Sequence, residues 1–337
     1  MNKIDRITKF ILGNHLKRSK LTESKDGFTL IELLVAMIIA ALVLTPLLGF
    51  MIGVLDTDRR ESAKESSEQE IQSALDYISR DLQQAVYIYD PTALSRNNST
   101  TPSSSGIRNQ IPPIRGAGSC NNANECKPIL VFWKRQFKSD VIPADNSTTN
   151  DSFVYSLVAY YLVKDNNNIW SNAARIARFQ IADGVRPTDG SGITCTGYPN
   201  DKFVSSQCPS QGFQPFDLSL RASNIHEKMN SWKALGNTAY TDNANVLVDF
   251  IDQTPISNQN NSPNRVTCPT GTTLSEGGVV GFYACVDNIN TTATVFLRGN
   301  SLVRLQKDSN VVYSEKNKTY FPAVSRQVEG RGYLFNE

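Results

Sequence analysis

Histidine is nearly missing from this chain: His15 and His226 are the only two in 337 residues. That is too few for a histidine-built zinc site or a histidine-rich catalytic centre, and no Cys-x-x-Cys pair compensates. No excess of either charge is present. Lysine and arginine total 34 against 32 acidic residues, a net +2, so no polybasic field points to nucleic acid as the main partner. Also lacking are a Walker-type phosphate loop, a G-x-S-x-G elbow and an H-E-x-x-H pair. Arg115-Gly116-Ala117-Gly118 holds two glycines but has no strand–helix setting for a phosphate. What remains is ordinary globular material, 40% apolar and 20% charged, which excludes a wholly disordered chain, a collagen and a multi-span membrane protein. The expectation is a structural protein, not an enzyme, with no cofactor and no resident metal.

Charge is distributed unevenly. Residues 1–27 carry seven basic and three acidic side chains, while the remaining 310 residues have 27 basic and 29 acidic ones. Immediately afterwards, Phe28–Leu55 reads FTLIELLVAMIIAALVLTPLLGFMIGVL, with Glu32 as its one ionisable group. As a helix this segment would span ~42 Å at 1.5 Å per residue, enough to cross a bilayer. Seventeen of its residues are Leu, Ile, Val or Phe, which together outweigh the ~2.5–3.5 kcal/mol of one central acidic group. The basic flank Lys3, Arg6, Lys9, Lys17, Arg18, Lys20 and Lys25 assigns the start of the chain to the cytoplasm and everything after Leu55 to the far side. A cleaved secretory signal fits poorly: the apolar run is too long, and Asp56-Thr57-Asp58-Arg59-Arg60 follows it instead of a small-x-small site.

The octapeptide Lys25-Asp26-Gly27-Phe28-Thr29-Leu30-Ile31-Glu32 resembles the type IV prepilin (class III signal) motif. The resemblance is strong over residues 25–55 and weak beyond. It implies that a membrane prepilin peptidase cuts between Gly27 and Phe28 and methylates the new amine, and that Glu32 guides subunit assembly. Physical chemistry gives these residues roles of its own. A glycine before the cut lets the backbone approach a protease closely. An acid within hydrocarbon seeks a cationic or hydrogen-bonding partner, and by resemblance that partner is the mature amine of a neighbouring subunit. The plainer alternative is a carboxylate that reaches back to the membrane surface. Pro46 removes one helical hydrogen bond, so a kink or melted turn is expected there, either as an aid to filament packing or as a harmless transmembrane proline.

Beyond the membrane, residues 56–90 read as a continuing helix. Ile71, Leu75, Ile78, Leu82, Val86 and Tyr89 fall on one stripe, which is expected to pack on the protein's own sheet rather than in a coiled coil. Residues 91–128 read as a long surface loop. Strands are expected at Ile129–Phe137 and Phe153–Val163, pairing across Lys138–Ser152, then at Ala177–Ile181, Val246–Ile251, Gly278–Val286, Thr292–Arg298 and Leu302–Gln306, with a short hairpin around Asn288–Asn290. Asp217–Leu235 reads as a loop with a short helix. The expected fold class is α+β: a long N-terminal helix packed on an antiparallel sheet domain. The expected divisions are a leader at 1–27, a transmembrane helix at 28–55, an amphipathic helix at 56–90 and a β-rich pilin-like domain at 91–337.

All six cysteines follow the membrane segment, which in an oxidising compartment favours disulfides. Cys120 with Cys126, Cys195 with Cys208 and Cys268 with Cys285 are the neighbours expected to pair, stapling surface excursions rather than building the core, at about 2–3 kcal/mol each. Asp183/Asp189 and Asp249/Asp252 have the composition of calcium loops but no EF-hand pattern, so solvated carboxylates are the plainer reading. His226, beside Glu227, reads as structural, and the aromatics Tyr313, Tyr320, Phe321, Tyr333 and Phe335 as edge-strand or core residues.

The resemblance implies a minor pilin or pseudopilin. Its partners would be the prepilin peptidase, other minor subunits, a major pilin, an inner-membrane assembly platform and membrane lipid. Glu68–Ala85 (EQEIQSALDYISRDLQQA) and Leu247–Asp252 (LVDFID) are similar to J- or W-type minor subunits, for which the implied role is priming or capping a fibre. The long basic leader, the Asn/Ser-rich loops and SLVAYYLV resemble the cyanobacterial pseudopilins of hormogonium polysaccharide secretion, which implies gliding motility and slime export. The implied location is the inner membrane, single-pass with the C-terminal domain outside, followed by a periplasmic or surface fibre. Two other classes stay open: a type II secretion minor pseudopilin for protein export, and a membrane-anchored binding module or adhesin that never enters a fibre.

Overall fold

The computed structural model describes residues 27–118, 120–144, 148–165, 169–237, 239–259, 262–306, 311–332 and 334. The basic leader and the aromatics Tyr333 and Phe335 lie outside these. The chain forms two compact units, Met1–Asp58 and Arg59–Glu337. Helix α1, Leu30–Gln83, supplies the described part of the first unit almost entirely and continues into the second.

In the second unit, Ile71, Leu75, Ile78 and Leu82 are all buried. The 4-3-4 spacing of these residues puts them on one helical face, and that face covers one side of a five-stranded sheet. The helix stops earlier than 90, at Gln83, and Ala85–Ile88 is strand β1. The helical stripe predicted through Val86 and Tyr89 is therefore wrong at its end. The run AVYIY is β-branched and aromatic, and Tyr87 and Ile88 pair with Trp133 and Phe132, which a helix there would leave uncovered.

The sheet continues with β2 (Cys126–Pro143), β3 (Thr149–Val163), β4 (Ala174–Ala182) and β7 (Asn245–Ile251), in the order β1-β2-β3-β4-β7. These neighbours pair antiparallel. Its central strands are buried on both faces, which is why ILVFW and SLVAYY read as unbroken apolar runs. A second sheet, in the order β11-β10-β9-β8, comprises β8 (Thr273–Glu276), β9 (Phe282–Asp287), β10 (Thr292–Arg298) and β11 (Ala323–Glu329). Phe282, Ala284, Val295 and Leu297 of this sheet share a core with α1 and with Phe132, Tyr160 and Ile176 of the first. β5 (Ile193–Cys195) and β6 (Tyr198–Phe203) form a separate small ribbon.

On the other face of the five-stranded sheet, Trp133 sits edge-on to Phe213, Phe216 and Trp232. Its indole N–H donates to Tyr89 Oη at 3.0 Å, and Tyr89 Oη donates onward to the Met229 carbonyl at 3.1 Å. The segment expected to hold a short helix does so, as α3 (Ile225–Asn230). Two further expectations fail. Residues 91–128 are not simply a surface loop: they fold into α2 (Pro91–Ser95) and two 3-10 turns, with Ala93, Leu94, Ile107 and Ile111 in the core. Leu302–Gln306 is helix α4 rather than a strand. Asn300 accepts the Leu302 N–H at 3.2 Å and turns the chain, and Leu, Arg and Gln favour helix once it has turned.

The six cysteines form three disulfides, Cys120–Cys126, Cys195–Cys208 and Cys268–Cys285. The first is no surface staple, because both of its cysteines belong to the core cluster around Trp133.

Candidate functional site

The N-terminal segment is built around a reciprocal helix cap. Thr29 precedes the first helical residue, and its carbonyl accepts the first intrahelical bond from Leu33 N–H at 3.2 Å. Glu32 N–H donates to Thr29 Oγ1 at 3.3 Å, while Glu32 Oε2 accepts from Thr29 N–H at 3.2 Å and from its hydroxyl at 3.0 Å. This is a capping box, Thr-x-x-Glu, satisfying two of the orphan donors that every helix start leaves. Its Thr-x-x-Glu motif is legible in the sequence, and it gives Thr29 a role beside the intersubunit or surface-seeking one expected of Glu32. Gly27 and Phe28 lie outside the helix, two residues and one residue before the cap.

From Leu30 to Leu55 every residue is exposed, including Leu42, Phe50 and Ile52. Among the described residues, α1 is the one helix long and apolar enough to cross a membrane by length and composition. The helix runs unbroken through Pro46, so the melted turn expected there is absent from this conformation. Thr45 Oγ1 donates to the Ala41 carbonyl at 2.7 Å and Thr57 Oγ1 to Gly53 at 2.9 Å, so both hydroxyls are satisfied within their own helix. Ala41, Thr45, Gly49, Gly53 and Thr57 recur every four residues, and a Cβ added at either glycine would meet only open space.

Within the second unit, one buried carboxylate fastens α1 to the sheet. Asp81 accepts from Lys134 Nζ on β2 at 2.8 Å, from Arg178 Nε on β4 at 2.7 Å and from Tyr160 Oη on β3 at 2.6 Å. Burial pushes the Asp81 carboxyl up, but the hydrogen bond and charge of Arg178, followed by those of Lys134, bring it net below the usual carboxylate value. Tyr160 goes the other way: burial, then the Asp81 charge, raises its phenol well above the ordinary value.

The acidic pairs considered for calcium are occupied by protein groups. Asp252 is fully buried, not solvated, and binds Arg298 Nε at 2.6 Å and Thr254 Oγ1 at 2.6 Å. Asp249 accepts from Ser171 N–H and Oγ, and Asp183 from Arg186. Asp189 accepts from Ser191 N–H. Among the described residues no group of His, Cys, Asp and Glu is placed to hold a metal. His226 Nδ1 lies 3.3 Å from both Tyr87 Oη and Asn288 Nδ2. A groove of about 1120 Å³ between α1 and β7 is lined partly by Glu70 and Asp249; Glu70 is held by Arg304, as Asp249 is by Ser171.

Residues 24–48 match the prokaryotic N-terminal methylation motif, the class III signal of type IV prepilins and pseudopilins. No curated protein and no solved structure gives a match to the chain. The signature, with the capped apolar helix, supports a type IV pilin-like protein and suggests that it is membrane-anchored. It implies processing by a prepilin peptidase and assembly with other pilins.

Proposed function

We propose that the chain is a minor pilin or pseudopilin, a structural subunit that primes or caps a type IV pilus-like fibre and catalyses no reaction of its own. The single observation that carries this is the methylation signature over residues 24–48, set on an apolar helix with no cover of its own. In this reading the leader is cut after Gly27 and Phe28 becomes the N-methylated first residue. The apolar part of α1 is held in the inner membrane and then extracted into a bundle of like helices. There the Glu32 carboxylate exchanges its own-chain cap for the amine of a neighbour. The β-rich domain lies outside the membrane and selects neighbouring subunits. The finer assignment to polysaccharide secretion and gliding follows the likeness of SLVAYYLV and the Asn/Ser-rich loops.

The test is mass spectrometry of the N-terminal peptide of the protein taken from its native membranes. A peptide beginning with N-methylated Phe28 is expected. An intact leader in cells with an active prepilin peptidase would make this a plain membrane anchor.

A further inference from the structure

We infer that Thr29 is a positioning residue for the cleavage itself: its cap with Glu32 starts the helix at Leu30 and keeps the Gly27–Phe28 amide outside it. The inference rests on the processing proposed above and assigns one residue a part in it.

An apolar segment entering a membrane gains by extending its helix upstream, since each added turn satisfies backbone groups that hydrocarbon leaves unpaired. Something must stop that extension short of the scissile bond. Thr29 does so from both sides. Its carbonyl and Oγ1 take the N–H groups of Leu33 and Glu32, and its own N–H is taken by Glu32 Oε2. A residue so engaged holds the non-helical geometry of an N-cap, and the chain before it is released from the helix. Consistent with this, no backbone hydrogen bond among the described residues reaches the Gly27 carbonyl.

The sequence also shows where the helix would start without this cap. Asp26, three residues upstream, is the next side chain able to cap. A helix begun there would place Gly27 and Phe28 in its first turn and direct the Ile31 N–H onto the Gly27 carbonyl. Hydrolysis requires water to add to that carbonyl carbon, after which the C–N bond breaks, Phe28 nitrogen leaves as an amine and Gly27 keeps the carboxylate. A carbonyl enclosed in a helical turn is poorly placed for that attack. Gly27 supports the same outcome from its own side, as the ordinary residue least suited to a helix apart from proline.

The experiment uses the full-length precursor in membrane vesicles with active prepilin peptidase, following the rate at which chains beginning at Phe28 appear. Thr29→Ala, which removes the hydroxyl and favours helix, is expected to cleave roughly two- to thirtyfold more slowly, the range spanned by a lost threonine cap. Thr29→Ser, which keeps the hydroxyl, is expected to restore the rate to within about twofold. In parallel, the ¹³Cα shift of labelled Phe28 in the uncleaved precursor is expected to move toward the helical value in Thr29→Ala and stay in place in Thr29→Ser. Cleavage of Thr29→Ala at the wild-type rate overturns the inference. So does an equal slowing by alanine and serine, which would mean that the peptidase reads the threonine directly. An unchanged Phe28 shift overturns it as well. Failure of the wild-type chain to be cleaved at all is a different result, and it removes the processing reading beneath.

Discussion

Asp81 on α1 and Tyr160 on β3, 79 positions apart, meet at 2.6 Å in the protein interior, with Lys134 and Arg178 on the same carboxylate. Two cations and one anion share this space, so the carboxylate is what makes their burial tolerable. Replacing it strands both cations. Asp81→Asn is expected to destabilise the domain by about 3–5 kcal/mol, the usual result of breaking a buried pair from one side. Denaturant titration of the full chain in detergent checks this, and a loss below about 1 kcal/mol would show that the cations find other partners.

The same cluster sets a pH window. Asp81 titrates lower in the folded chain than its ordinary value of 3.8, so its contribution is present above that value and is lost as pH falls through the lower, folded one. Tyr160, Tyr87 and Tyr161 are each held well above the ordinary phenol value of 10.0, chiefly by burial. A raised phenol contributes fully below about pH 10 and progressively less as pH climbs beyond it. Stability followed by circular dichroism should therefore decline below about pH 4 and above about pH 10. Asp81→Asn should flatten the acid limb and change the Tyr160 part of the alkaline limb, leaving the part due to Tyr87 and Tyr161 in place.

Removal of the disulfides should not follow loop length alone. Chain entropy ranks Cys268–Cys285, 17 residues apart, above Cys120–Cys126, only 6 apart, at roughly 3 against 2 kcal/mol. The shorter bridge is buried in the Trp133 core, so paired Cys→Ser changes there also bury two new hydroxyls. The double variant at 120 and 126 is expected to lower the melting temperature at least as much as the one at 268 and 285. The reverse order would show that this core accommodates the hydroxyls.

Glu32→Leu tests docking on the chains that have been cut. The new side chain suits the membrane and its N–H keeps Thr29 Oγ1, so the precursor should insert and be cut, more slowly for loss of the Glu32 half of the cap, while incorporation of the cut chains into fibres should fall about tenfold or more for loss of a charge-assisted bond. Sheared-fibre fractions probed for the subunit give the readout, and undiminished incorporation would remove Glu32 from assembly.

Much of this fold is legible in the residues because it depends on local pattern. The 4-3-4 stripe of Ile71, Leu75, Ile78 and Leu82 carries the helix-on-sheet packing, and β10 occupies the expected Thr292–Arg298. The failures arise where pattern and context part. Val86 and Tyr89 keep helical spacing by coincidence, and only the uncovered edge of β2 draws Val86 into a strand and Tyr89 onto the Val131 carbonyl just past its end. Ile107 and Ile111 are isolated apolar residues in a Pro/Ser-rich stretch, and nothing local announces that the face around Trp133 needs them. Asp81 has an unremarkable place in sequence, since its three partners come from three different strands. At the N-terminal site the methylation motif and its acid are plain from the sequence, whereas the Thr29 cap, equally plain as Thr-x-x-Glu, is overshadowed by the intersubunit role that the resemblance implies for the acid.

The join between α1 and β1 has a mechanical consequence. Only Gln84 separates Gln83, the last helical residue, from Ala85, the first of the strand. No flexible linker is present to absorb extension. Any pull along α1 enters the sheet directly at β1, where it meets the backbone rungs to β2 as shear across several bonds at once. The Asp81 contacts to β2, β3 and β4 spread the same tension over three further strands. Within the second unit, a chain wired this way passes tension from the end of α1 into the five-stranded sheet with no slack between them.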